Sequence, residues 1–342
     1  MCTLLIVALA ALIGSIRAWG GLAAGYAVYS VRDNGTSRRL LATVPSTLFS
    51  PGTDVWLVTR SPSRDSFLVV RSDGLFIAGL DGSHSIALSP VGKRIANYTP
   101  AAFSHDGRLI AFSAFDPNCL WANCNDLYVT GADGTGLRLL ASNAVDPSWS
   151  ADGKWIAYLG DLDQNGGAGA TYVVHPDGSG LRRIATAVGL YGPPSFAPSG
   201  TLLAYGCAAG LCLTELGTPQ RRLLSRAQGS LWSLDGHKIA LIQGSNGVNH
   251  SVLAVVDVAT SRTRRLTTSD TNGTTDTPLA WSPDSSKLAF RRNCEYAPPD
   301  CRIAVYALNL ANGTKHRLSR DAHRWMDVRW SKHTLSYVAA TG

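Results

Sequence analysis

Asp161, Asp163 and Asn165, followed by Gly166, read D-x-D-x-N-G within the stretch GDLDQNGGAG. Alternate oxygen-bearing side chains ahead of a glycine turn make the first half of a calcium loop. The twelfth position, where a bidentate glutamate would close such a loop, is Tyr172. A calcium ion would therefore need other donors, backbone carbonyls among them. A plain polar loop explains the same residues, because Asp, Asn and Gly all suit turns. The cysteines are the second candidate chemistry. Cys2 lies near the N-terminus, and the other six fall as Cys119/Cys124, Cys207/Cys212 and Cys294/Cys301. Cys119-x4-Cys124 could supply two zinc ligands, but no histidine flanks any pair at ligand spacing. There is no G-x-S-x-G elbow, and no catalytic Ser, Cys or carboxylate pair stands out. Catalysis thus has no named residue.

These residues hang on a repeat. WSADGKWIAY begins at Trp149; FSHDGRLIAF begins at Phe103, FAPSGTLLAY at Phe196, WSLDGHKIAL at Trp232, WSPDSSKLAF at Trp281 and WSKHTLSYVA at Trp330. The anchors are spaced by 46, 47, 36, 49 and 49 residues, and RSPSRDSFLV at Arg60 adds a weaker copy 43 residues before Phe103. A rival first register, FSPGTDVWLV at Phe49, fits that spacing less well. Periods of this size mean units that cannot bury their apolar faces alone. After each anchor come a turn, an apolar strand, a loop and a second strand pair such as LYVTGADGTGLRLLA at Leu127 or TYVVHPDGSGLRRIA at Thr171. Asp-Gly between two apolar runs is a strong hairpin signal. Each unit is read as four strands, a to d, with the anchor ending strand a. Continuous runs such as WIAYL imply strands covered on both faces.

The last anchor, Trp330, has no c–d half after it, and YAVYSVRDNGTSRRLLA at Tyr26 is a c–d half with no anchor before it. The two remnants complete one another. The sequence therefore predicts an all-β chain: a seven-bladed β-propeller of four-stranded antiparallel blades, one closed by both termini. Such closure leaves only short, protected sheet edges.

The pattern W-S-x-D-G, then apolar-Ala-aromatic, then c–d strands with a Gly turn and Arg-Arg-Leu resembles the TolB-like β-propeller repeat, itself WD-repeat-like. The resemblance covers nearly all of residues 26–341. It implies a propeller fold. Propellers of this kind serve as periplasmic partner-binding modules, accessory domains of peptidases and parts of lyases. TolB itself has a separate N-terminal domain and usually six blades, so its specific partners do not carry over.

In the predicted blades each late cysteine pair brackets a b–c loop, where two side chains reach bridging distance. Three local disulfides are expected, and with them an oxidising compartment. Residues 1–18 hold an apolar core, Leu4 to Ile13, of the length of a secretory h-region. Residues 19–25 are read as a linker and 26–341 as a single propeller domain. No later window is long and apolar enough to span a membrane. Arginine pairs recur at the start of strand d: Arg38-Arg39, Arg182-Arg183, Arg221-Arg222 and Arg264-Arg265. Charge on an outer strand blocks edge-to-edge pairing; with a net charge of +7, a basic rim for an anionic polymer or membrane surface is the rival. Basic residues are not interleaved with aromatics, so nucleic acid is not expected. His105, His237 and His333 lie in a–b turns of non-adjacent blades and are read as solvated. The Asn-x-Ser/Thr sites at Asn34, Asn97, Asn249, Asn272 and Asn312 are read as turn chemistry.

The sequence thus points to an exported, monomeric, non-enzymatic scaffold that binds a protein or envelope polymer through its b–c loops. Trp121 and Tyr296, each inside a cysteine-bracketed loop, are the expected contact residues. The alternatives are a propeller-type polysaccharide lyase or glycosidase, and a detached propeller partner of a peptidase.

Overall fold

The computed structural model describes residues 25–44, 55–63, 65–71, 73–79, 85–90, 92–95, 101–119, 124–162, 169–186, 193–218, 221–244, 251–268, 274–293, 304–319 and 326–340. They form strands and turns. By its contacts the chain divides into two compact units, one holding Val44–Ala208 and the other Tyr26–Thr43 with Ala209–Gly342.

The first unit contains an antiparallel a–b–c–d sheet of Val55–Arg60, Ser66–Arg71, Gly74–Gly79 and Ile86–Ala87. Strand a ends at Arg60, as the preferred register requires; Phe49 lies outside the described residues. The next sheet departs from the four-strand expectation. Its strand a is broken into Arg94–Ile95 and Ala102–Phe103, both paired to Leu109–Phe115, which gives five strands. Regularity returns with Ala144–Trp149, Ile156–Gly160, Ala170–Val174 and Arg182–Thr186. Ser195–Phe196 pairs antiparallel with Leu202–Cys207 in the first unit, and Gly210–Glu215 with Arg221–Ser225 in the second. In the second unit, the repeats anchored at Trp232 and Trp281 merge into one eight-stranded sheet through a single parallel bridge, Ser251 to Thr275.

The remaining sheet joins the two ends of the chain. Its order is Arg39–Val44, Tyr26–Arg32, Thr334–Ala340, Met326–Ser331. Tyr26–Arg32 and Thr334–Ala340 pair antiparallel over seven registers, from Tyr26 with Ala340 to Arg32 with Thr334. Leu335, Tyr337 and Val338 are fully buried there.

The repeated Ser-x-Asp turn is a small hydrogen-bonded machine. Ser104, Ser150, Ser233 and Ser282 each donate Oγ–H to the Asp two residues on, at 2.6 to 2.7 Å. The same Asp oxygen accepts the N–H of Arg108, Lys154, His237 or Ser286. The serine oxygen in turn accepts the N–H five residues after it. A short polar side chain thereby closes the turn before the apolar strand b begins. Ser61 and Asp65 play the same parts in the Arg60 repeat. The c–d turns use a parallel device: Asn34, Asp133 and Asp177 accept from both the N–H and hydroxyl of Thr36, Thr135 and Ser179.

These contacts favour ionised carboxylates. Asp284 is lowered to about 2, first by Ser282, then by the Ser286 hydroxyl and N–H. Asp106 is lowered chiefly by Ser104. For Asp152 and Asp235 burial, which opposes, is the largest single influence, and the hydrogen bonds outweigh it. A folded-state pKa below the unfolded one contributes stability above the unfolded value and loses it as pH falls through the folded value. We therefore expect the melting temperature to drop as pH falls from about 4 toward 2. The Ser282→Ala variant should start lower and show a shallower acid slope. Equal slopes in thermal melts across that window would sink this account.

Two of the anchors staple neighbouring strands a together. Trp149 Nε1 donates to the Ala102 carbonyl at 2.9 Å and Trp281 Nε1 to the Leu231 carbonyl at 3.0 Å. Beneath them, clusters such as Leu253, Val255, Trp281, Leu288 and Phe290 fill the space between successive repeats.

Candidate functional site at the b–c ends of the sheets

Strands a begin, and strands b end, at the same rim as the b–c loops. In three repeats strand a is bulged three residues before its tryptophan. Asp146, Gly229 and Asp327 sit there with φ of 57°, 96° and 46°, and pairing slips across Val145/Ser148, Gln228/Leu231 and Met326/Arg329. Gly and Asp are the residues that accept this left-handed conformation at least cost. A bulge re-aims side chains at a sheet rim.

In the first unit the rim is acidic. The Asp161 carboxylate accepts the Tyr172 hydroxyl, and that bond is the first cause raising the Tyr172 phenol. Tyr172 stacks on Tyr158 with ring centres 5.5 Å apart. Burial first, then the neighbouring Tyr172 and Asp161, push Tyr158 up to about 12. Asn143 donates Nδ2–H to the Leu162 carbonyl at 2.9 Å. Asp146 is partly buried, and desolvation pushes its carboxyl up to about 7. Lys93 and Asp126 pair at 3.4 Å.

Of the expected calcium ligands only Asp161 lies within the described residues; Asp163 and Asn165 do not. Among the described residues no three His, Cys, Asp or Glu side chains gather as a metal site. The Cys119–Cys124 disulfide is present, with Cα atoms 6.1 Å apart. Cys207 and Cys212 are also disulfide-bonded. Cys294, Cys301, Trp121 and Tyr296 lie outside the described residues, as do Asn97, Asn249 and Asn272. Asn312, like Asn34, holds its turn, accepting the Thr314 N–H at 3.0 Å.

In the second unit the rim is built on arginine. Arg292 grips Asp276 with Nε and Nη2 at 2.7 Å each, and Arg329 Nε donates to Asp327 at 2.8 Å. Arg265 Nε donates to Gln243 at 2.9 Å. Arg291 is half-buried beside them.

The strand-d arginines do more than charge an edge. Arg222 donates to the carbonyls of Val258 and Ala259 and to the Ser261 hydroxyl, in the c–d turn of the following repeat. Arg264 reaches the Leu310 carbonyl in the same way, at 2.8 Å. Arg38 lies over the Tyr29 ring and Arg182 over Trp155. Reading them as plain edge charges was incomplete, because the guanidinium fork can serve several carbonyls at once. His105, His237 and His333 do lie in a–b turns; His333 is 3.6 Å from Asp33 and largely solvated.

No helix among the described residues is long and apolar enough to cross a membrane. No protein-family model matches the chain. A curated relative, the protein TolB homolog of Chlorobium luteolum, is 26% identical over 181 residues, half of this chain. The match spans 36% of that relative's length. The putative TolB of Agrobacterium tumefaciens has a solved structure with a TM-score of 0.56 at 18% identity, covering 94% of this chain and all of that one. An oligogalacturonate lyase from Vibrio parahaemolyticus reaches 0.60 at 11% identity, over 91% of this chain and 89% of that one. At such identities the structural likeness is one of fold. Together with the recurring W-S-x-D-G turns and a–b–c–d sheets, these similarities identify the repeat of this chain as TolB-like.

Proposed function

We propose that this chain is an extracytoplasmic, non-enzymatic scaffold: a seven-bladed propeller closed by its two ends, binding a protein or envelope polymer through the b–c rim. The observation that carries this reading is the contrast between the two ends of the sheets. At the a–b and c–d turns the carboxylates and hydroxyls are used up in holding the turns themselves, as in Ser150 with Asp152 and Ser179 with Asp177. They leave a uniform surface with little to recognise. The b–c segments, such as DPNCLWANCND, CAAGLC and NCEYAPPDC, differ in every repeat. Variable loops on a rigid frame are where binding tends to sit, and disulfide bracing lowers the ordering cost of a complex. Export rests on the apolar core Leu4 to Ile13 and on the cysteine pairs. A calcium ion on Asp161, Asp163 and Asn165 would brace one of these loops further, competing with Tyr172 for Asp161.

Capture of the partner from the exported fraction, followed by Trp121→Ala and Tyr296→Ala, tests the reading. Each substitution should weaken binding by about 2 kcal/mol, the loss of a central aromatic anchor, with the melting temperature unchanged. Normal binding by both, with binding abolished by substitutions in the a–b turns, would put the site on the opposite face. The likeness to an oligogalacturonate lyase favours one second reading, a polysaccharide lyase. Formation of unsaturated products from oligogalacturonate would establish it in place of the first.

A further inference from the structure

Every acidic side chain of strand a at the second unit's rim has its own arginine: Asp276 has Arg292, and Asp327 has Arg329. Arg291 has none. Among the described residues no carboxylate, carbonyl or hydroxyl accepts from its guanidinium, and its Nε is sealed from solvent with no partner. Directly across in register stands Thr277, whose Oγ1 is also sealed and unpartnered. Strand alternation separates the neighbours. Asp276 and Arg292 form one cross-strand pair, and Thr277 and Arg291, the next pair, face the other way. Arg291 shares its face with Ala289 and lies opposite Val305, and both pack in one cluster with Trp330, Leu335 and Tyr337 of the sheet that joins the chain ends. Arg291 therefore lies on the sheet face that packs toward the sheet joining the chain ends. Burial is the one influence on its charge, and it lowers the affinity for the proton. Among the described residues this half-buried cation has no counter-ion, a costly arrangement that an anion from outside would relieve. Arg291 is not fully buried, so part of its surface remains open to an incoming group.

We propose that Arg291 is a receptor for one carboxylate of a bound ligand, held by the η nitrogens of the guanidinium with the Thr277 hydroxyl as a second donor. A single positive charge, uncompensated among the described residues, matches a monoanion, and the planar fork of arginine matches a planar carboxylate. The inference deepens the rim-binding reading and rests on it for the source of the ligand.

The test is thermal melting of the full chain at neutral pH in sodium acetate against sodium chloride at equal ionic strength, with phosphate as a third arm. Acetate near ten times its dissociation constant should raise the melting temperature by about 3 °C. Arg291→Met, which keeps the apolar stem, should melt no lower than the parent in chloride and lose the acetate response. Should that variant fail to fold, Arg291→Lys keeps the charge without the fork, and its acetate response should weaken several-fold. A parent chain indifferent to acetate, or an Arg291→Met protein with an undiminished response, overturns the proposal. A larger response to phosphate than to acetate overturns the assignment of a monoanion. Trp121→Ala and Tyr296→Ala should keep the acetate response whatever they do to partner binding, so the carboxylate site and the rim reading stand or fall separately.

Discussion

Removing residues 331–342 will abolish the cooperative thermal transition of the second unit, or lower it by more than about 20 °C. The strand Thr334–Ala340 is not an edge. It lies between Met326–Ser331 and Tyr26–Arg32, paired to both. Its loss uncovers one side of each neighbour's backbone and takes Leu335, Tyr337 and Val338 out of the core. Core truncations cost about 3 kcal/mol each, so three of them reach about 10 kcal/mol, the scale of a whole domain's net stability. Tyr337→Ala alone should cost about 3–5 kcal/mol. Far-UV circular dichroism melts of the two variants would show this. A deletion that melts like the parent would mean that the chain ends do not hold the sheet.

The second large effect is expected at Trp281. Its ring is buried in the cluster with Leu253, Val255 and Phe290, and its Nε1 reaches the Leu231 carbonyl of the preceding repeat. Trp281→Ala removes both and should destabilise by about 3–5 kcal/mol. Trp281→Phe keeps most of the ring and leaves the Leu231 carbonyl short of a donor, a loss of about 1–3 kcal/mol. Phe103 and Phe196 hold the anchor position in their own repeats, so phenylalanine fits it. Chemical denaturation should rank parent, Phe and Ala in that order. Phe and Ala variants of equal stability would show that the hydrogen bond, and not the ring, holds the repeats together.

Much of this was legible in the sequence because the information is local. Ser150, Asp152 and Gly153 make their turn with one another, so the turn survives being read one residue at a time. The complementarity of the Tyr26 and Trp330 segments was legible for a similar reason, since each is half of a repeat whose whole form recurs elsewhere. The bulges were not. Asp146 and Asp327 look like ordinary strand residues, and only the pairing with strand b forces them left-handed. Arg222 and Arg264 read as edge charge because their acceptors, Val258 and Leu310, lie 36 and 46 residues away. The same distance blindness hid Arg291, which differs from Arg292 in sequence by one position and in structure by the face on which it finds no acid. The broken strand at Arg94–Ile95 and the bridge at Ser251 likewise depend on neighbouring strands and not on the repeat pattern.

Tyr26 and Ala340 are register partners, so the first and last described strands end side by side, about 5 Å apart. In a chain trimmed to Tyr26–Ala340, a few flexible residues would join the two strand ends, and new ends could be opened at an exposed hairpin such as Asn312-Gly313 without changing a strand pairing. Force that draws these two strand ends apart would open their shared hydrogen bonds one after another, starting at the Tyr26–Ala340 pair and running toward Arg32–Thr334.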